Sequence, residues 1–257
     1  QEDEIIRTLK GSNKTGVNRI MWDLRYEPTF KPKLKTTPPG RPWVQLGGEG
    51  WRPLVTWDLD LMRGQYGPKV VPDSYKVKLI FDDMEFTREV TVLKDPRSEG
   101  SLEQIRQQVE VSLELRDAMN LAVSMINDLE DVRSELDSLM PQLKNESDRA
   151  QALDLSLKAR DISGSLYDIH LTGAREDAFR SPMKLYGRLS ALASDLTGHG
   201  VDFQPTNPQR EVATILNTRL KKVKANFDAL FEHEIPELNK RLQSADLKIQ
   251  TQKKIKS

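Results

Sequence analysis

The stretch SLEQIRQQVEVSLELRDAMNLAVSMINDLEDVRSELDSLM, residues 101–140, decides how this chain must be read. Ser101 and Gln104 have the spacing of a capping box, in which each side chain satisfies a backbone N–H at the start of a helix. Leu102, Ile105, Val109, Leu113, Met119, Ile126, Leu129, Leu136 and Met140 then keep a spacing near three and four. That period puts them on one face of a helix. The pattern predicts a helix from about 102 to 140, roughly 55–60 Å long at 1.5 Å per residue. Pro141 ends it, because proline has no N–H to give. Within it, Glu130-Asp131-Val-Arg133 reads as a solvated charged face.

Three more helices follow from the same grammar. One covers about Ser147 to Leu171. A polar loop, Thr172 to Arg180, leads to Ser181-Pro182, an N-cap followed by Pro at the first helical position. The third helix, about 182 to 197, carries Met183, Tyr186, Leu189, Leu192, Ala193 and Leu196, and Gly198-His199-Gly200 stops it. Asn207-Pro208 opens the fourth, whose face holds Val212, Ile215, Leu216, Leu220, Val223, Phe227 and Leu230. Pro236 is expected to kink it, and the Lys/Gln-rich end from Lys248 to fray. Apolar stripes this long need one another, which predicts an antiparallel bundle of about four helices over 98–257. A sustained coiled-coil dimer is the alternative, with a heptad pattern that is not strict.

Upstream the grammar changes. All four Trp (22, 43, 51 and 57) precede Pro96. Ile5 to Leu9 is β-prone. Val17 to Arg25 alternates, with Ile20, Trp22 and Leu24 on one face. Tyr75, Val77, Leu79 and Phe81 share a face with Lys76, Lys78 and Asp82 opposite. Asp82-Asp83-Met84-Glu85 reads as a hairpin turn, and Phe86, Val90 and Val92 line the return strand. Strands without intervening helices predict an antiparallel β-sandwich over 1–97, with Trp22 in its core. The fold expected is therefore α+β in two domains. The Pro/Gly/Trp-rich stretch from Glu27 to Val71 is too long for a hairpin loop and reads as an insertion with one short strand, Leu54 to Trp57.

Composition narrows function by exclusion. The 257 residues carry 39 basic and 39 acidic side chains, so net charge is zero, which argues against a dominant electrostatic role on nucleic acid or anionic lipid, since both need an uncompensated basic surface. No apolar run reaches the length of a membrane span. The absence of Cys removes disulfides, thiolate metal sites and a Cys nucleophile. There is no P-loop, Gly-x-Gly-x-x-Gly or Gly-x-Ser-x-Gly. His170, His199 and His233 read as solvated helix-end residues. His233-Glu234 begins like a zincin helix, but position 237 is Glu and Pro236 intrudes, so no metal or other cofactor is expected. Asp58 and Asp60 could share a strand face, the minimum for glycoside hydrolysis, but such pairs are common by chance. Asp82/Asp83 is turn chemistry. Trp43, Trp51, Trp57 and Tyr66 form the one group with the make-up of a ligand platform for sugars or peptides. Their competing role is to pack the long insertion.

A resemblance covers nearly the whole chain. Gly16-Val-Asn-Arg-Ile-Met-Trp-Asp-Leu-Arg25 is similar to the G-x-N-R-x-x-W-D-L-R strand in C-terminal regions of large bacterial exported proteins. Those proteins carry sortilin-like, BNR/Asp-box β-propellers and are often labelled glycosyl hydrolases. Ile5 to Gly11 is similar to the strand before it. Gly67-Pro-Lys-Val-Val-Pro-Asp-Ser-Tyr-Lys-Val-Lys-Leu79 resembles its G-P-x-x-x-P-G-x-Y-x-V-x-L stretch, with Asp73 in place of Gly. Val92 to Arg97, Pro182 to Leu185 and Pro205-Thr206 also fit. The resemblance implies a fibronectin-III-like or Ig-like sandwich whose first strand precedes Gln1, which would leave an edge unpaired. It implies an upstream propeller in the same polypeptide, and none of the 257 residues forms an Asp-box. It implies an extracytoplasmic location. It carries over no catalytic residue. The function expected is a non-catalytic accessory region whose partner is a protein or that propeller. Carbohydrate binding through Trp43, Trp51 and Trp57 is the alternative, and hydrolysis a distant third.

Overall fold

A computed structural model describes residues 4–54, 65–174, 177, 182–197, 202–242 and 247–253. The helical reading of the second half holds in its main elements, although the second helix ends at Leu166 and not near Leu171, and the third begins at Leu185, with Pro182 ahead of it and not at its first position. Helix α1, Leu102–Leu139, starts at Ser101 with both halves of the capping box formed. The chain tightens into one 3₁₀ turn, Met140–Gln142, at Pro141. Asn145 then caps α2, Glu146–Leu166, by accepting from the N–H groups of Ser147 and Asp148. Helix α3 is Leu185–Thr197. Helix α4, Asn207–Ala229, begins with a second capping box, between Thr206 and Gln209.

The kink expected at Pro236 is a π turn, Leu230–Glu234, leading into α5, Ile235–Arg241. Proline has no N–H to bond back, and its ring presses on the carbonyl four residues earlier, so the helix widens there. Ser181 and Gly198-His199-Gly200, expected to bound α3, lie outside the described residues.

Helix α1 is the spine. It packs on α2, α3 and α4, while α3 also meets α4, and α2 meets α4 and α5. Leu115, Met119, Ile126, Leu129 and Leu136 of α1 are fully buried, as are Leu166, Leu189, Phe227 and Leu230 from its neighbours. They belong to one continuous apolar core. Burial of this stripe, at about 25 cal/mol per Å² of apolar area, is what holds the helices together.

The β-sandwich expected over 1–97 is absent, and with it the fibronectin-III-like fold. Among the described residues there are only two small two-stranded sheets. In the first, β1, Lys33–Leu34, pairs with β2, Arg52–Pro53. In the second, β3, Ser74–Phe81, pairs with β4, Met84–Thr91, in the register Tyr75↔Val90 to Phe81↔Met84. The turn is two residues, Asp82-Asp83, and Asp82 takes a positive φ of 49°. Aspartate tolerates that conformation better than most residues.

The other expected strands fail for local reasons. From Val17–Arg25, one bridge survives, Arg25↔Lys69, beside a bond from the Val70 N–H to the Leu24 carbonyl. Leu24 itself sits at φ 57°, which turns the chain out of line. Pro72 then offers no N–H for further pairing. Gly67 is required here, since a Cβ would lie 1.9 Å from the Tyr26 carbonyl oxygen. Trp22 is only half-buried, not in a sandwich core: its indole N–H donates to the Arg25 carbonyl at 3.0 Å, and its ring meets Tyr75 edge-on at 5.6 Å. Ile5 to Leu9 stays outside any sheet, tied by Glu27, whose N–H donates to the Ile6 carbonyl. The insertion holds both β1 and β2 instead of the single strand expected at Leu54 to Trp57: Leu54 is in no strand, and Val55, Thr56 and Trp57 lie outside the described residues.

Much of the insertion is strapped onto α1 instead of forming a layer. The N–H of Phe30 donates to Asn120 Oδ1 at 2.8 Å, and that of Lys33 to Asn127 Oδ1 at 2.8 Å. The N–H groups of Lys35 and Thr36 both donate to Glu130 Oε2, at 2.7 and 2.9 Å. Pairing with β2 leaves other backbone donors of the strap to satisfy, and this helix supplies side-chain acceptors for them. Residues 247–253 are likewise clipped, not frayed as expected from Lys248 onward. Asn239 exchanges two bonds with the backbone of Ile249, and Glu135 accepts from Gln250 and Thr251. Lys253 pairs with Asp228 at 2.7 Å and Glu232 at 2.9 Å.

Candidate interaction surface

The β3–β4 hairpin is amphipathic with an uncovered apolar side. Residues directly opposite in an antiparallel pair share a face. Tyr75, Val77, Leu79, Phe81, Met84, Phe86, Arg88 and Val90 therefore lie on one side, and Ser74, Lys76, Lys78, Ile80, Glu85, Thr87, Glu89 and Thr91 on the other. The second side is built for water. Lys78 pairs with Glu85 at 2.7 Å, and Ser74 donates to Glu89 at 2.7 Å. The first side is apolar except for Arg88. Yet Val77, Leu79, Phe81, Met84, Phe86 and Val90 are each 40–51% exposed. The two strands pack on each other and make no substantial packing with any helix.

Only the base of this face is covered. Trp22 lies against Tyr75, whose hydroxyl donates to the Val71 carbonyl at 2.6 Å. Burial, with Tyr26 and Asp73 adding to it, pushes the Tyr75 phenol up to about 12, so it remains a neutral donor. The neighbouring arm exposes more apolar surface at Val17, Ile20, Met21 and Leu24. Such a surface marks a contact site more often than chance exposure does.

The aromatic group expected to bind ligand is not assembled into one platform by the described residues. Trp43 is 70% exposed. Trp51 is half-buried, its indole N–H on Glu49 at 2.9 Å and the Lys33 ammonium 5.1 Å from its ring. Tyr66 is exposed, with the Arg25 guanidinium 5.9 Å from its ring. The ring–ring contacts found among the described residues are Trp22–Tyr75 and Phe227–Phe231. Trp57, Asp58 and Asp60 lie outside the described residues.

One polar cluster contradicts the sequence reading. Glu130 and Arg133 do not lie on a solvated face: both are buried. Glu130 accepts from the Tyr167 hydroxyl at 2.5 Å, from the Thr36 hydroxyl and from Arg133, which also donates to Tyr167 at 2.9 Å. Burial, with Glu130 beside it, raises the Tyr167 phenol far above its ordinary value. Next to this cluster, Arg52 bonds the carbonyls of Thr36 and Leu171, at 3.2 and 2.9 Å. The spacing carried the signal. Glu130 stands four residues after Ile126, and Arg133 four after Leu129, which puts both on the apolar stripe.

This cluster is a clamp: its carboxylate is enclosed by donors from three segments, the strap at Lys35 and Thr36, Arg133 of α1 and Tyr167. Asp177 plays a similar part in the loop after α2. Burial pushes its carboxyl up, but bonds from Thr172, Ala174 and Gly173 outweigh that and hold it below the ordinary range. No group of three His, Asp or Glu able to hold a metal occurs among the described residues. A cavity of about 310 Å³ lies between the end of α1 and the C-terminal strap, beside Ser134, Glu135 and Gln142. Glu135 is already engaged by the strap. No helix among the described residues is long and apolar enough to cross a membrane. Comparison with protein-family models, with curated proteins and with solved structures finds no match for this chain.

Proposed function

We propose that this chain is a non-catalytic accessory region that binds protein, carried by a larger exported β-propeller polypeptide. The observation that carries the reading is the apolar face of β3–β4, left uncovered beside a helical body whose own core is closed. Six large apolar side chains gathered half-exposed on one face mark a contact site, whereas the exposed apolar residues of the helices, such as Leu153 and Ile215, stand beside a core that is already continuous. The extracytoplasmic location and the propeller rest on the resemblance at Gly16–Arg25. The propeller itself, or a separate protein, is the partner in this reading. Carbohydrate binding has Trp43 as its exposed ring, but Trp51 is occupied by Lys33 and Glu49.

The test is site-specific photo-cross-linking in the native host. Benzoylphenylalanine in place of Phe86 is expected to give a discrete adduct, either with another polypeptide or with an upstream part of the same one. The same probe at exposed Thr218 on α4 is expected to give none. If the Phe86 probe gives no adduct while the protein is folded and abundant, the reading is wrong.

A further inference from the structure

The size, shape and charge of the apolar hairpin face together restrict what can cover it. About half of each of six large apolar side chains is open, which amounts to roughly 500 Å². A self-standing dimer buries about 800 Å² per partner, so two copies stacked through this face alone fall short. Charge points the same way. Arg88 is the one charged residue on the face, and it has no carboxylate partner among the described residues. In a symmetric pair of copies this face would again offer it no acid, and the two guanidinium groups would share one apolar layer. A burial that leaves a cation unpaired is costly.

We propose that the face is the docking site for an extended segment of another polypeptide, with apolar side chains at alternate positions and one carboxylate set to meet Arg88. The proposal rests on the protein-binding reading above and names the chemistry of the partner. Eight residues of β3 span about 27 Å at 3.3–3.4 Å per residue, so an extended segment of about eight residues matches the face end to end. Its alternate side chains meet Val77, Leu79, Phe86 and Val90 as a second layer about 10 Å away. Its carboxylate fixes the register, because Arg88 lies mid-strand opposite Val77. Neither long edge of the hairpin carries a third strand among the described residues, so no existing sheet obstructs the approach.

The probe is a capped ten-residue peptide alternating Val with Thr, carrying one Asp among the Val positions, and a twin with Lys for Asp. Binding is read by fluorescence anisotropy and by amide protection at β3 and β4. The Asp peptide is expected to bind at least about tenfold tighter than the Lys peptide. Arg88→Glu, an exposed change that leaves the helices untouched, is expected to reverse that order. Phe86→Asp is expected to abolish binding of both, with unchanged helical circular dichroism as the folding control. Equal affinity for the two peptides would overturn the proposal, as would no binding of either. So would a monomer–dimer equilibrium that Phe86→Asp dissolves, since a second copy would then be the occupant. Unselective peptides together with a Phe86 adduct in cells would remove this inference and leave the protein-binding reading standing.

Discussion

Glu130→Ala is expected to destabilise the fold by about 3–5 kcal/mol, the cost of removing one partner from a buried charged cluster. The side chain is fully buried and has five donors around it: the N–H groups of Lys35 and Thr36, the hydroxyls of Thr36 and Tyr167, and Arg133. Alanine leaves the Arg133 cation buried without its anion. It also removes the acceptor of the Lys35 and Thr36 N–H groups, so the strap should loosen there, while Asn120 and Asn127 still hold it upstream. Urea unfolding followed by circular dichroism measures the first effect. Proteolysis within residues 30–36 reports the second. Because the partners act as a unit, Glu130→Ala/Arg133→Ala together should cost clearly less than the sum of the two single changes. A loss below about 1 kcal/mol for Glu130→Ala would mean that the cluster is not the clamp described here.

Phe227→Ala is expected to cost a similar amount, about 3–5 kcal/mol, by a different cause. Phe227 is fully buried near the end of α4, and its ring lies 4.4 Å from that of Phe231 in the π turn. Removing it opens a cavity where α4 hands over to α5. The π turn restricts how far the helix can close around that cavity, so the loss should sit toward the upper end. Thermal unfolding compares it with Phe203→Ala, whose side chain is 55% exposed and whose removal should change stability little. Equal effects from the two would contradict the core as described.

The helices were legible because each signal for them is local. Ser101 with Gln104 and the spacing from Ile105 to Leu136 each act within a few residues, whereas the cap expected at Asn207 lies one residue earlier, at Thr206 with Gln209. The hairpin's faces were legible for the same reason, since period two put Tyr75, Val77, Leu79 and Phe81 on one face, but its register was not: the turn expected over Asp82 to Glu85 is only Asp82-Asp83, and Met84 and Glu85 already pair in β4. The sandwich was not, because it depends on which strands find partners far along the chain. Alternation in Val17–Arg25 says that the segment can line a face. It does not say that a second sheet exists to meet it, and the positive φ of Leu24 and Pro72 together prevent one from forming. The strap on α1 was hidden because its acceptors, Asn120, Asn127 and Glu130, look like ordinary polar helix residues. Of the expected ligand platform, composition showed the aromatics but not their neighbours: Lys33 beside Trp51 and Arg25 beside Tyr66 come from distant segments.

The energetics of the two parts differ, and the functional reading depends on that difference. An isolated two-stranded hairpin is marginal in water, whereas a helix buried like α1 opens only with the whole domain. Residue-resolved amide hydrogen exchange on the isolated chain therefore tests the account most directly. The account predicts fast exchange by local opening across Tyr75–Thr91 and slow, globally limited exchange across Leu115–Leu136. Hairpin amides protected to the same level as those of α1 would contradict it, because the apolar face would then already have its cover.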